Sequence, residues 1–168
     1  MDNLELIKQY LPLCWFKKDP AALPRSISFL KQNLLVCFVV EYFMQLNMID
    51  DPFESFFEVL LQLLLALMFI GFVLLINKTL YTFVQVATAV LSCTNVVSII
   101  IVPVTIWLTV TNHPASYIIA SILGIWGYAM IAYVFKKALV VNGFAGMILS
   151  TSYFLATYLA AFGIAQLI

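Results

Sequence analysis

Leu63-Leu64-Leu65-Ala66-Leu67-Met68-Phe69-Ile70-Gly71-Phe72-Val73-Leu74-Leu75-Ile76 decides the fold. A helix through these residues has no polar face to turn to water, so it belongs in lipid. With Phe53 at its start it forms one span, which Asn77 and Lys78 close. Asp50, Asp51 and Pro52 separate it from a span expected over residues 27–48. Further spans are expected over residues 80–110, 114–135 and 142–168, with Pro114 well placed as a first-turn proline.

Composition agrees: 64% of residues are hydrophobic, 10% are charged and mean hydropathy is +1.07, values that exclude a water-soluble core. In 168 residues there is room for five spans and no separate extramembrane domain. The expected architecture is an all-α, polytopic transmembrane helix bundle of five spans with an N-terminal amphipathic, interfacial segment.

That segment is residues 1–26. Leu4, Ile7 and Leu11 recur at helical spacing opposite Glu5, Lys8 and Gln9, a pattern expected to lie flat on the bilayer. Trp15 and Phe16 followed by Lys17 and Lys18 form a membrane-surface anchor, rings in the headgroup zone and cations toward anionic lipid. Pro20 and Pro24 make a stiff elbow, and Ser26 or Ser28 could cap the next helix. The segment lacks the pattern of a cleavable signal and is expected to stay attached. Cys14 stands where reversible acylation and a plain interfacial thiol are both open; with no CxxC pair, neither disulfide nor metal is expected.

Span three is too long. About 31 residues of helix measure roughly 46 Å against a hydrocarbon core of about 30 Å, so it must tilt, bend or break. Ser92-Cys93-Thr94-Asn95 and Pro103 mark the candidate irregularities, with two half-helices meeting near Asn95 as the alternative to a continuous rod.

Basic residues set the topology in loops this short. Lys8, Lys17, Lys18, Arg25 and Lys31 precede or enter span one, Lys78 joins spans two and three, and Lys136 with Lys137 joins spans four and five. All eight therefore share one side, which reads as N-terminus cytoplasmic and C-terminus outside.

Glu41 lies well inside span one, where an unpaired carboxylate costs about 2.5–3.5 kcal/mol on insertion scales. Gln45 is one turn away. Counting depth at about 1.5 Å per residue, Glu58 and Gln62 from span two and Asn95 from span three reach a similar level. Glu41, Gln45, Glu58, Gln62 and Asn95 thus form a candidate intramembrane polar cluster, either a proton or cation site or interhelical hydrogen bonding. Gly124 and Gly127 in span four and Gly143 and Gly146 in span five mark an expected helix-packing seam, continued by Ser150, Ser152, Ala156, Ala160 and Gly163, with packing inside the bundle as the default and a homo-oligomer or partner face as the alternative. His113, the single histidine, is expected to be solvated in a turn. No triad, nucleophile elbow, P-loop or dinucleotide pattern occurs, so no enzyme activity, cofactor, metal, nucleotide or nucleic acid is expected. The expected partners are the lipid bilayer and other membrane proteins or a second copy.

Thr82-Phe83-Val84-Gln85-Val86-Ala87-Thr88-Ala89 leading to Pro103-Val104, and Gly124-Ile125-Trp126-Gly127-Tyr128 through Lys136-Lys137-Ala138-Leu139, are similar to the middle and late spans of bacterial Yip1-type domains. The five-span plan also resembles the Yip1-like superfamily, over roughly residues 55–165. The chain lacks the Asp-Leu-Tyr-Gly-Pro motif and long cytoplasmic domain of the eukaryotic branch, which puts GTPase binding and vesicle traffic in doubt. The resemblance implies a non-enzymatic organiser of membranes or membrane complexes. A small transporter or channel component using Glu41, Glu58 and Asn95 is the alternative.

Overall fold

The computed structural model describes residues 3–46, 51–111 and 113–165; Met48, Asp50, Asn112, Ile168 and the side chain of Leu4 lie outside the described residues. The helices are α1 (Asn3–Tyr10), α2 (Ile27–Leu46), α3 (Pro52–Ile76), α4 (Phe83–Thr111), α5 (Pro114–Ala138), α6 (Gly143–Phe154) and α7 (Ala160–Ala165). A π-helical turn over Leu155–Leu159 joins α6 to α7. No strand occurs among the described residues. Five helical stretches are long and apolar enough to cross a bilayer: Ile27–Leu46, Pro52–Ile76, Leu80–Thr111, Pro114–Ala138 and Gly143–Ile164. The chain is an integral, multi-pass membrane protein.

Four of the five spans start where a side chain accepts from a first-turn amide left without an intrahelical partner; span three, entered through Thr79, does not. Ser26 Oγ accepts from Phe29 N at 3.2 Å, and Asp51 Oδ1 from Phe53 N at 2.8 Å beside Pro52. Asn142 Oδ1 accepts from Ala145 N at 2.8 Å. His113 is more than a solvated loop residue: its Nδ1 accepts from Ala115 N at 3.2 Å, capping α5, and its ring stacks on Trp107 at 5.9 Å.

Span three is one continuous helix, which excludes the two half-helices. Pro103 sits inside it on an exposed face, and Thr105 Oγ1 donates to the carbonyls of Val102 at 2.8 Å and Ile101 at 3.2 Å. The excess length is taken up at the basic end. From Val86 to Leu91 six consecutive residues of α4 are buried, so this part of the helix is surrounded by protein rather than by lipid.

The N-terminal segment supplies part of that surround. The expected stripe pointed outward along Ile7 and Leu11, and these are indeed exposed, but a second apolar face of Leu6, Tyr10, Leu13, Cys14 and Leu23 joins the core. The 3-10 turns at Leu11–Trp15 and Pro20–Ala22 pack on α4 and α5. Tyr10 Oη donates to Pro24 O at 2.9 Å, and burial pushes its pKa up to about 12, keeping it a donor. Trp126 Nε1 donates to Cys14 O at 3.2 Å. Residues 3–23 are therefore a docked part of the bundle, not an anchor lying free on the surface. Cys14, 1% exposed and facing the Cys93 thiol, is closed to acylation in this conformation.

Three non-glycine residues have positive φ: Phe16 (59°), Lys78 (59°) and Val140 (54°). Lys78 and Val140 occupy the left-handed position of Schellman-type helix ends, with Thr79 N bonded to Leu74 O at 2.9 Å and Val141 N to Lys136 O at 3.1 Å. A β-branched residue is poorly suited there, and Val140 is 90% exposed with little packing to lose. Val140→Gly is expected to stabilise the protein by about 1 kcal/mol, read as a raised thermal midpoint in detergent. A lowered midpoint would contradict this account of the turn.

Candidate functional site

Two polar stripes face one another across the α2–α4 contact. On α2, Asn33, Cys37 and Glu41 recur every fourth residue and so share one face; on α4, Ser92, Asn95 and Ser98 recur every third. Asn33 Nδ2 donates to Phe29 O at 2.9 Å, and its Oδ1 accepts from Ser92 Oγ at 3.1 Å and Asn95 Nδ2 at 3.1 Å. Asn95 Nδ2 also donates to the Asn33 carbonyl at 3.0 Å. Further along, Ser98 Oγ donates to Glu41 Oε1 at 3.0 Å.

The five expected cluster residues are divided among neighbouring helices. Asn95 bonds Asn33, two turns before Glu41 on α2, while Glu41 takes Ser98. The Gln45 side chain lies beside Glu58 where α2 meets α3. Gln62 lies beside Tyr158 in the π-helical turn, where α3 meets the last span, and Tyr158 is also within electrostatic reach of Glu41. Asn33, Ser98 and Tyr158 are the partners that sequence reasoning passed over. Asn33 resembled polar flanking sequence beside Lys31 and Gln32, yet it is 9% exposed. Its spacing to Cys37 and Glu41 was the available signal.

Of the surface anchor, Trp15 and Phe16 remain about half exposed while their rings meet α5, at 6.1 Å from Trp126 and 5.3 Å from Tyr133. Lys17 and Lys18 are exposed. Lys137 Nζ lies 5.9 Å from the Tyr133 ring centroid, so cations of the N-terminal segment and of the α5–α6 turn gather near one end of the bundle.

The glycine seam is narrower than expected. A Cβ on Gly146 would stand 2.8 Å from Ala132 O, and one on Gly127 would meet Val97 at 3.4 Å. A Cβ on Gly124 or Gly143 would meet nothing within 4 Å among the described residues. Tyr128 Oη donates to Met147 O at 2.8 Å and Ser150 Oγ to Tyr128 O at 3.2 Å, reinforcing the α5–α6 contact around Gly146.

Among the described residues no group of three His, Cys, Asp or Glu side chains could hold a metal ion. No protein-family model matches the chain, and no curated protein and no solved structure shows significant similarity to it.

Proposed function

We propose that this is a non-enzymatic membrane protein of bacterial Yip1-like type, acting as a membrane-organising scaffold or an accessory subunit of a membrane complex. In this reading its basic end faces the cytoplasm of a cell bounded by an inner membrane, and the Asp51 and His113 turns face outside. The observation that carries the reading is the use of intramembrane polar groups between helices: Ser98 hydrogen-bonds Glu41 and Asn95 hydrogen-bonds Asn33, while Gln45 lies beside Glu58 and Gln62 beside Tyr158. Groups paired from helix to helix hold a bundle together, each contact contributing about 0.6 kcal/mol on average, and leave contact with lipid and neighbouring proteins as the function. Exposed Phe53, Met68, Phe72, Ile118 and Ile125 provide apolar surface for such contact.

A second reading, a small transporter or channel component, is favoured by Glu41 itself. Ser98 supplies it with one hydrogen bond, whereas an ionised carboxylate accepts about four. Proteoliposomes containing a pH-sensitive dye separate the two. The scaffold reading expects no proton leak above protein-free vesicles, Glu41→Gln and Glu58→Gln variants that fold with unchanged thermal midpoints, and a partner co-purifying at fixed stoichiometry in mild detergent. A leak that Glu41→Gln abolishes would replace it with the transport reading.

A further inference from the structure

A cavity of about 350 Å³ lies beside the turn between α2 and α3, lined by Tyr42, Pro52, Phe53, Phe56 and Phe57. Its volume falls at the small end of ligand sites, and all of its wall but Pro52 is aromatic. Phe53 is 77% exposed and Phe57 50%, so neither ring serves to fill the bundle core.

The rings meet as a corner rather than a stack. Phe56 stands at 85° to Tyr42, with centroids 6.2 Å apart, and at 88° to Phe57, 5.8 Å apart. Phe38 backs the corner, 5.5 Å from Phe56 and stacked on Tyr42 at 5.9 Å. Stacked rings cover one another's faces, whereas in an edge-to-face pair one ring keeps its electron-rich faces open. Tyr42 Oη donates to Pro52 O at 3.5 Å and so ties α2 to the start of α3.

Carboxylates stand at this turn. Asp51 and Glu54 bracket Pro52 and Phe53 in the chain. Asp51 Oδ1 accepts from Phe53 N at 2.8 Å, which fixes one carboxylate beside the aromatic wall and occupies an amide that would otherwise favour an anion. Lys31, near the start of α2, and Lys78, beyond the end of α3, sit at the far ends of the same two helices.

We infer that this cavity binds a quaternary ammonium group, its N-methyl surface against the rings of Tyr42, Phe53, Phe56 and Phe57 and its charge answered by Asp51 and Glu54. The ligand is cationic because ring faces are negative and the neighbouring side chains are acidic. It is quaternary because such a group carries its charge without an N–H, whereas a primary ammonium would bring three donors to a wall of rings. A choline-type lipid headgroup and a free solute both present this chemistry. The inference does not depend on the scaffold reading.

The test uses the full chain in phosphatidylglycerol nanodiscs, which hold no ammonium group. Saturation transfer from the aromatic protons of the protein is measured to choline, to ethanolamine, and to the neutral isostere of choline with carbon in place of nitrogen. Choline is expected to receive about tenfold more than either control. Ethanolamine shares the charge without the methyl groups, and the isostere shares the shape without the charge, so equality of either with choline would overturn the inference. Phe53→Leu combined with Phe57→Leu, at two exposed positions, should keep the thermal midpoint and bring choline down to the controls, while Phe53→Trp should preserve the preference. A choline preference that survives the double leucine change would also overturn the inference. Phosphatidylcholine added to the discs separates the two sources: loss of the choline signal at a small mole fraction identifies the lipid headgroup as the occupant, and an unchanged signal identifies a free solute.

Discussion

Leu13→Asp is expected to release residues 3–23 from α4 and α5 and to destabilise the protein by about 3 kcal/mol or more, the combined effect of lost packing and a buried carboxylate. Leu13 is 0% exposed, in a turn that also holds buried Cys14 against Trp126. Ile7→Asp, on the same segment but 50% exposed, is expected to cost less than half as much. Unfolding in mixed micelles gives both values, and hydrogen exchange of residues 3–23 and 86–91 reports release directly. Equal costs for the two variants would mean that the segment merely rests on the membrane surface.

Gly146→Val is expected to force α5 and α6 apart. A Cβ there meets the Ala132 carbonyl at 2.8 Å and Lys136 Cβ at 3.1 Å; the first is backbone and cannot swing aside. Overpacking of this kind costs about 1–3 kcal/mol. Separation would also strain the Tyr128 and Ser150 bonds that cross the same contact. Gly124→Ala is the matched control: nothing lies within 4 Å of its Cβ, and alanine is expected to leave stability unchanged or raise it by up to about 1 kcal/mol. Thermal midpoints measured side by side check both, and a Gly146→Val protein as stable as Gly124→Ala would refute the close approach.

The spans were legible because length and punctuation carry them. Pro52 and Pro114 fall at first helical positions, and Asn77 and Lys78 end α3 where the apolar run stops. Other features could not be read. Residues 3–16 have two apolar faces, and helical spacing alone cannot say which one meets protein. The Leu155–Leu159 π-helical turn leaves no mark in apolar sequence.

The partners of Glu41 and Asn95 were misplaced for a geometric reason. Depth counting starts every helix at the same level and runs them parallel, but Asn95 lies six residues further into α4 than Asn33 into α2, and Ser98 only one further than Glu41, so the two helices are neither level nor parallel. Asn95 consequently meets Asn33, and Ser98 reaches the level of Glu41. The glycines show a related limit: small residues at helical spacing mark where backbones can approach, and only a neighbour such as Ala132 makes Gly146 different from Gly124.

Substituted-cysteine accessibility in intact cells tests the five-crossing account most directly, because Cys14, Cys37 and Cys93 are all buried and supply little background. Single cysteines at Lys18, Lys78 and Lys137 are expected to react with a membrane-impermeant maleimide only after lysis, and those at Asp51 and Thr111 before it. Labelling of all three lysine positions in intact cells with protection of Asp51 and Thr111 would reverse the orientation, and mixed reactivity among the three lysine positions, or between Asp51 and Thr111, would contradict the five crossings.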